Sequence, residues 1–198
     1  MAHRRRRVRP WYRRHHRPRG GAGYRGGPRT RGYNDPDMLQ VGNGPDSAQS
    51  QHEPTDIERP LSDVENRTHF AFWCLLGAPL FVGTDLTGLS QDLLDLLTNE
   101  RLLAIDQDPL GLQGTPDRRD PTREVWSKRL ADGAAVALWN RGEEQAEIRT
   151  HVDETSVPTA GERYSVLDCW TGEQWESFGE LSATVEPRDT AVFRVTPT

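Results

Sequence analysis

The chain has 198 residues, enough for one ordinary domain or two small ones. Its 25 basic and 30 acidic side chains give a formal charge of −5, yet residues 1–32 hold 12 arginines and no Asp, Glu or Lys, so the other 166 residues carry −17. A membrane helix needs roughly 20 consecutive apolar residues; the longest small-or-apolar run, Phe70 to Val82, has 13 and contains Pro79, which excludes a spanning protein.

Cys74 and Cys169 are too few and too far apart for a disulfide framework. Beside Trp73, Leu75 and Trp170 they read as two buried reduced thiols, with a bridge between them left open. A metal site would need more ligands than either neighbourhood offers. Lys128 is the only lysine against 24 arginines. An acidic, self-repelling surface of this kind favours solubility and suits either a salt-rich (halophilic) setting or a GC-rich coding sequence.

Residues 1–32 are dense in Arg, Gly and Pro, with no aliphatic side chain longer than Val8. Such a stretch cannot bury enough apolar surface to offset its ordering entropy, so disorder is expected. Three readings of it stand. Arginines interleaved with Trp11, Tyr12 and Tyr24 suit a weak nucleic-acid-binding arm; a solvated tail without a role has the same composition; so does upstream DNA translated in the wrong frame. Twin arginines without a following apolar stretch do not make an export signal, and the sequence leaves localisation open.

Residues 43–61 are polar, with prolines at 45, 54 and 60, and read as a long surface loop or insertion. Ser62-Asp63-Val64-Glu65 has the form of a capping box and opens a helix whose buried stripe is Phe70, Trp73 and Leu76. Gly77 ends it and Pro79 keeps the next segment extended. Leu80-Phe81-Val82 reads as a short strand buried on both faces. Ser90 caps a second helix with Asp92 in its first turn, Leu93, Leu94, Leu96 and Leu97 as its core face, and Asn99 as its stop. Leu102-Leu103-Ala104-Ile105 is another short apolar run. This order belongs to α/β architecture.

From about Thr122 the rhythm becomes strands separated by turns: 124–128, 134–140, 146–151, 163–168, 174–177, 182–185 and 191–196. Asp132-Gly133, Arg141-Gly142, Thr171-Gly172 and Pro187-Arg188-Asp189 lie between them. Seven strands so spaced predict an antiparallel sandwich. Trp126, Trp139, Trp170 and Trp175 are candidate sugar-stacking faces, although a sandwich of this size keeps most of its tryptophans in the core.

The block Tyr33-Asn34-Asp35-Pro36-Asp37-Met38-Leu39, with Val41-Gly42-Asn43-Gly44 after it, is on its own no more than a good turn. It is followed in order by Arg67-Thr68-His69-Phe70, Trp73, Ala78-Pro79-Leu80, Asp85-Leu86 and Ala104-Ile105-Asp106-Gln107-Asp108-Pro109-Leu110-Gly111. Glu124-Val125-Trp126, Ala135 to Asn140 and Thr190 to Phe193 complete the series. It resembles the C-terminal part of the melibiase-type α-galactosidases, glycoside hydrolase family 27, over residues 33–198 apart from the insertion near 45–60.

The resemblance implies the last two βα units of a (β/α)8 barrel over 33–115 and an antiparallel β-sandwich over 122–198. It implies retaining hydrolysis of terminal α-D-galactosides by two carboxylates roughly 5–5.5 Å apart, at the rim where barrel strands end. In the family both catalytic Asp residues precede the Asn-Asp-Pro-Asp block. Here only the acid-free arginine segment precedes it, so no catalytic residue is assigned and the chain is expected to be a truncated piece, inactive alone; the alternative is a non-catalytic carbohydrate-binding or interaction module formed by the sandwich and rim loop. By place in the motif, Asp37 and Met38 are expected to contact the sugar, and Asn34, Asp35 and Asp85 to support the rim loop, with a turn or helix-entry role for Asp85 equally open. Asp106 and Asp108 are placed at the join between barrel and sandwich, with a catalytic pair as the alternative, and His69 as a hydrogen-bonded core histidine. No motif points to a metal, nucleotide or flavin cofactor. The open sheet edges of two βα units are expected to leave the barrel part unstable while the sandwich folds by itself.

Overall fold

The computed structural model describes residues 36, 38–43, 61–159 and 161–198. The arginine-rich segment and the 45–60 insertion lie outside them.

Helix α1 spans Asp63–Leu76 and begins as its capping box requires: Ser62 Oγ accepts from the Glu65 N–H, and Glu65 Oε2 accepts from the Ser62 N–H at 2.9 Å. It ends at Gly77, whose φ of 59° is left-handed, and the last turn is closed by Gly77 N–H to Cys74 O and Ala78 N–H to Trp73 O. Ten of its fourteen residues are buried, so Phe70, Trp73 and Leu76 are part of a wider buried surface than a single stripe. Helices α2 (Gln91–Leu97) and α3 (Glu100–Asp106) follow. Ser90 caps α2 and Asp92 lies in its first turn, as the sequence indicates, but its four leucines are only half-buried. Asn99 is not a stop. Its Oδ1 caps α3 by accepting from the Arg101 and Leu102 N–H groups, and the apolar run 102–105 is helical, with Leu102 and Ile105 in the core.

Eight strands make the rest: β1 (Thr115–Arg119), β2 (Arg123–Arg129), β3 (Ala134–Asn140), β4 (Ala146–His151), β5 (Tyr164–Asp168), β6 (Gln174–Ser177), β7 (Glu180–Val185) and β8 (Thr190–Pro197). Six pair in the order β1-β2-β3-β8-β5-β6, and β4 with β7 forms a second sheet; every named pair is antiparallel. The alternating burial of β4 is that of a half-buried strand. Strand β1 was absent from the sequence reading. It is a polar edge strand whose register shifts between Pro116 and Arg118, the usual place for a strand proline.

Strand β3 is buried at all seven positions because the larger sheet is covered on both faces. One face, with Val136, Leu138, Val166, Phe193 and Val195, meets Ile148, Leu181 and Val185 of the small sheet. The other, with Trp126, Ala135, Ala137, Trp139 and Val192, joins Phe70, Phe72, Trp73 and Leu102 of the helices in one cluster. Phe72 packs at 5.2 Å edge-on to Trp126 and at 4.6 Å to Trp139. The helices therefore share a core with the sandwich.

Both ends of α1 are fastened to the sandwich by polar groups. At its C-terminus, Lys128 rises from the middle of β2, wholly buried, and Nζ donates to Cys74 O at 3.0 Å, Ile105 O at 2.6 Å and Asp106 O at 3.4 Å. These carbonyls end α1 and α3, where helices lack internal donors and carry partial negative charge. A Cβ at Gly77 would meet that ammonium at 3.3 Å, so glycine supplies clearance there as well as its left-handed turn. At the N-terminus, Thr68 Oγ1 donates to Arg188 O at 2.8 Å, and Arg188 bridges Glu65 (3.2 Å) and Glu143 (2.7 Å) from the β7–β8 turn.

The predicted strand Leu80–Val82 is the main correction to the secondary structure. Only Val82 pairs, in one parallel bridge with Leu39, and Phe81 is 68% and Val82 38% exposed. A parallel strand is buried when neighbours flank it and helices cover it; among the described residues this pair has no further strand beside it.

Two outcomes follow from Lys128 and its neighbourhood. Lys128→Met removes the ammonium from three helix-end carbonyls, of which Cys74 O keeps the Gly77 N–H, and the loss of charge-assisted bonds of this type should lower the urea-derived unfolding free energy by about 2–4 kcal/mol. Burial lifts the Asp106 carboxyl to about 6, against the opposing pull of the Lys128 charge. The fold thus favours the neutral acid, and this contribution to stability is full below about 4 and lost as pH rises through 6. Asp106→Asn should remove that component, flattening the dependence of unfolding free energy on pH between about 4 and 7.

Candidate functional site

The segment 38–43 and the segment 82–85 run side by side. Leu39 N–H donates to Phe81 O at 2.8 Å and Gly83 N–H to Leu39 O at 3.0 Å, the slanted pattern of a parallel pair. The chain then turns sharply, with Asn43 N–H to Gln40 O at 3.0 Å and Gly42 at φ 79°. A Cβ at Gly42 would also collide with the Leu89 side chain.

Four side chains hold this turn. His69 Nε2, on α1, accepts from the Gln40 N–H at 2.8 Å. Asn66, one turn earlier, accepts from the Gly42 N–H at 3.1 Å through Oδ1 and donates to Leu61 O at 3.3 Å. Asn43 Nδ2 donates to Gln40 Oε1 at 2.6 Å and to Gly83 O at 3.0 Å, and Thr84 Oγ1 donates to Val41 O at 2.5 Å. Asn66 and His69 are three apart on one helical face and nearly fully buried. His69 also lies against Trp73, with ring centroids 4.0 Å apart. It accepts at Nε2, so the proton of the neutral ring belongs on Nδ1.

Of the site residues expected from sequence, Asn34, Asp35 and Asp37 lie outside the described residues. Met38 is 39% exposed at the entry to the turn. Asp85 sits at the N-cap of a 3-10 turn, Leu86–Gly88, where its Oδ1 accepts from Thr87 Oγ1 at 2.7 Å and Thr87 N–H at 2.9 Å. Those two bonds hold its carboxyl below the ordinary range. Asp85 thus makes the hydrogen bonds of a helix-entry residue. Asp108 ties the helices to the sandwich: Oδ1 accepts from Leu110 N–H and Oδ2 from Ala131 N–H, both at 3.0 Å. Asp106 and Asp108 form no paired acid site; one neighbours the Lys128 ammonium and the other serves backbone N–H groups.

The sequence reading put His69 in the core, which is where it lies, but missed that His69, Asn66, Asn43 and Thr84 are the fasteners. The Asn66–His69 spacing was the available signal, and it carried no information about which loop the pair would meet.

The remaining buried acids are engaged structurally. Glu124 takes Trp126 Nε1 at 2.7 Å and Arg141 Nη1 at 2.5 Å. Asp189 takes Thr190 N–H at 2.8 Å and faces Arg67 at 3.5 Å. Burial raises both carboxyls above their ordinary range. Cys74 and Cys169 are buried free thiols. Burial, followed by the nearby acids Asp106 and Asp168 respectively, raises Cys74 well above the usual thiol value and Cys169 to about 12, so neither is a nucleophile at neutral pH. Among the described residues no cluster of three His, Cys, Asp or Glu is placed to hold a metal, and no helix is long and apolar enough to cross a membrane.

Replacing His69 by Phe should leave the Gln40 N–H without its acceptor. The expected cost is about 1–3 kcal/mol, accompanied by faster hydrogen exchange at Gln40 and Gly42 than at the strands of β3.

Two families match in succession along the chain. The one described as "alpha galactosidase A" matches residues 25–108, and the one described as "alpha galactosidase C-terminal beta sandwich domain" matches residues 120–195. An α-galactosidase of rice (Oryza sativa subsp. japonica) is 36% identical over 168 residues, which are 84% of this chain and 36% of the rice protein. One of Coffea arabica is 34% identical over 163 residues, 81% of this chain and 39% of that protein. The chain thus spans well under half the length of these relatives. A Bacteroides fragilis crystal structure assigned to the α-galactosidase/melibiase class superimposes at TM-score 0.72 with 31% identity, covering 83% of this chain and 34% of that one. The fold is shared with α-galactosidase I of Mortierella vinacea at TM-score 0.72, 22% identity, and 86% and 42% coverage. With both families matched in chain order and the same arrangement in the solved structures, the chain belongs to the melibiase-type α-galactosidases.

Proposed function

We propose that this chain forms the closing rim and C-terminal sandwich of a retaining α-galactosidase that hydrolyses terminal α-D-galactosides. The observation that carries the reading is the fastening of segment 38–43. A turn continuous with Asn34-Asp35-Pro36-Asp37-Met38 is fixed from behind by His69 and Asn66 and from the side by Thr84 and Asn43. A loop held at several backbone positions keeps a preceding contact residue in one place, the support a sugar pocket needs.

In this reading the helical part is the last two βα units of the (β/α)8 barrel, and Leu39 and Val82 belong to its neighbouring strands. Asp37 and Met38 contact the galactosyl ring, the carboxylate accepting from ring hydroxyls and the thioether packing on a C–H face. Asn34, Asp35 and Asp85 support the rim. Retaining hydrolysis needs one carboxylate to attack the anomeric carbon and a carboxylic acid to protonate the leaving oxygen. Glu124, Asp108 and Asp189 are all occupied by N–H or guanidinium donors, and in this reading both catalytic acids come from chain that corresponds to the remainder of the relatives.

A chimera tests this. Residues 33–198 replace the matching segment of the rice enzyme, and turnover of a chromogenic α-galactoside is measured. The chimera should hydrolyse it, and Asp37→Ala within it should raise KM by about tenfold or more, the loss of a charge-assisted hydrogen bond. Residues 1–198 alone should give no turnover. A folded but inactive chimera, or turnover by 1–198 alone comparable to the rice enzyme, contradicts the reading.

A further inference from the structure

A cleft of about 800 Å3 lies where the helical layer meets the sandwich, between the starts of α1, α2 and α3 and the β5–β6 turn. Its lining does not include the 38–43 turn, although Leu93 in its wall lies against Gly42, and its chemistry is mixed. One wall is Arg67 stacked on Trp170, guanidinium carbon 4.5 Å from the ring centroid, with a long ion pair to Asp189 at 3.5 Å. Trp170 is itself fixed, donating from Nε1 to Thr190 O and from its backbone N–H to Asp168 Oδ1, both at 2.7 Å. Arg67 keeps 37% of its side chain exposed, and its Nε has no hydrogen-bond acceptor.

The opposite side carries Leu93 and Leu96, half-buried, and the carboxylates of Asp92 and Asp95 from α2. Asp63 and Glu100 add two more acids, and Arg101 a second guanidinium. Arg101 reaches across to the β5–β6 turn, where its guanidinium occupies the space a side chain at Gly172 would need; Gly172 has φ 79°. The floor is tied down by Asn99 Nδ2 donating to Cys169 O at 3.1 Å.

The balance of groups selects the ligand. Four carboxylates against two guanidinium groups repel an anion. A bare cation would leave both arginines unserved, and the acids do not converge as a ligand set. An apolar molecule would strip water from six charges with nothing in return. A neutral polyhydroxylated molecule suits this mixture: its hydroxyls donate to carboxylates and accept from arginine, and its C–H face lies on Leu93 and Leu96. We propose that this cleft is a binding site for a neutral saccharide.

Titration of residues 1–198 with melibiose, followed by calorimetry, tests it. Saturable binding with Kd of about a millimolar, or a few times weaker, is expected. The exposed pair Asp92→Ala/Asp95→Ala should weaken it about tenfold with Tm unchanged, Thr171→Arg should abolish it by filling the cleft, and Met38→Ala should leave it as it was. Absence of saturation at about 100 mM sugar overturns the proposal. So does binding that survives both cleft variants, and binding that disappears with Met38→Ala would assign the sugar to the rim pocket instead, sinking this site while supporting that one.

Discussion

A single buried ammonium holds the helical layer in register with the sandwich. Lys128 is the only lysine in the chain and is fully enclosed, and its three bonds go to backbone carbonyls of two different helices. An amine taken out of water needs such partners, and burial accordingly lowers its pKa, countered first by Asp106. The carbonyls need it equally, since a buried helix end without donors is costly. The ammonium and the helix-end carbonyls satisfy one another, so the position of β2 fixes where α1 and α3 end.

That constraint reaches the rim through α1. Its C-terminus is set by Lys128 and Gly77, its N-terminus by Glu65 and Thr68 against the β7–β8 turn. Between the two fixed ends lie Asn66 and His69, which accept from Gly42 and Gln40. The sandwich, though it carries no expected rim contact, thereby sets the height and rotation of the helix from which the rim turn hangs. The one large apolar surface shared by helices and sheet, from Phe70 and Trp73 to Trp126 and Trp139, supplies the hydrophobic part of the same attachment.

Much of this was legible in the sequence where local chemistry decides structure. The capping box at Ser62 and Glu65, the stop at Gly77, the Ser90 cap and the strands 134–140, 146–151 and 174–177 stand as read. The failures have distinct causes. Strand β1 is polar and carries Pro116, so nothing in its pattern announces pairing that depends on β2. The Leu102–Ile105 run is too short for periodicity to separate strand from helix, and the Asn99 cap decides it. Leu80–Val82 has the composition of a buried strand, but burial requires neighbours, and the one partner it finds is Leu39. At the site, the family motif located the turn, whereas its fasteners 24 to 29 residues away, Asn66 and His69, are set by tertiary packing. Lys128 was visible only as a compositional oddity.

The central claim is that helices and sandwich form one cooperative unit joined through Lys128 and the shared apolar face. Native-state hydrogen exchange across a denaturant series reads this directly. The amides of α1 and those of β3 should converge on one opening free energy with one denaturant slope. Exchange of α1 through an opening several kcal/mol cheaper, with β3 still protected by the full unfolding free energy, would show that the helical layer is only resting on an independent sandwich.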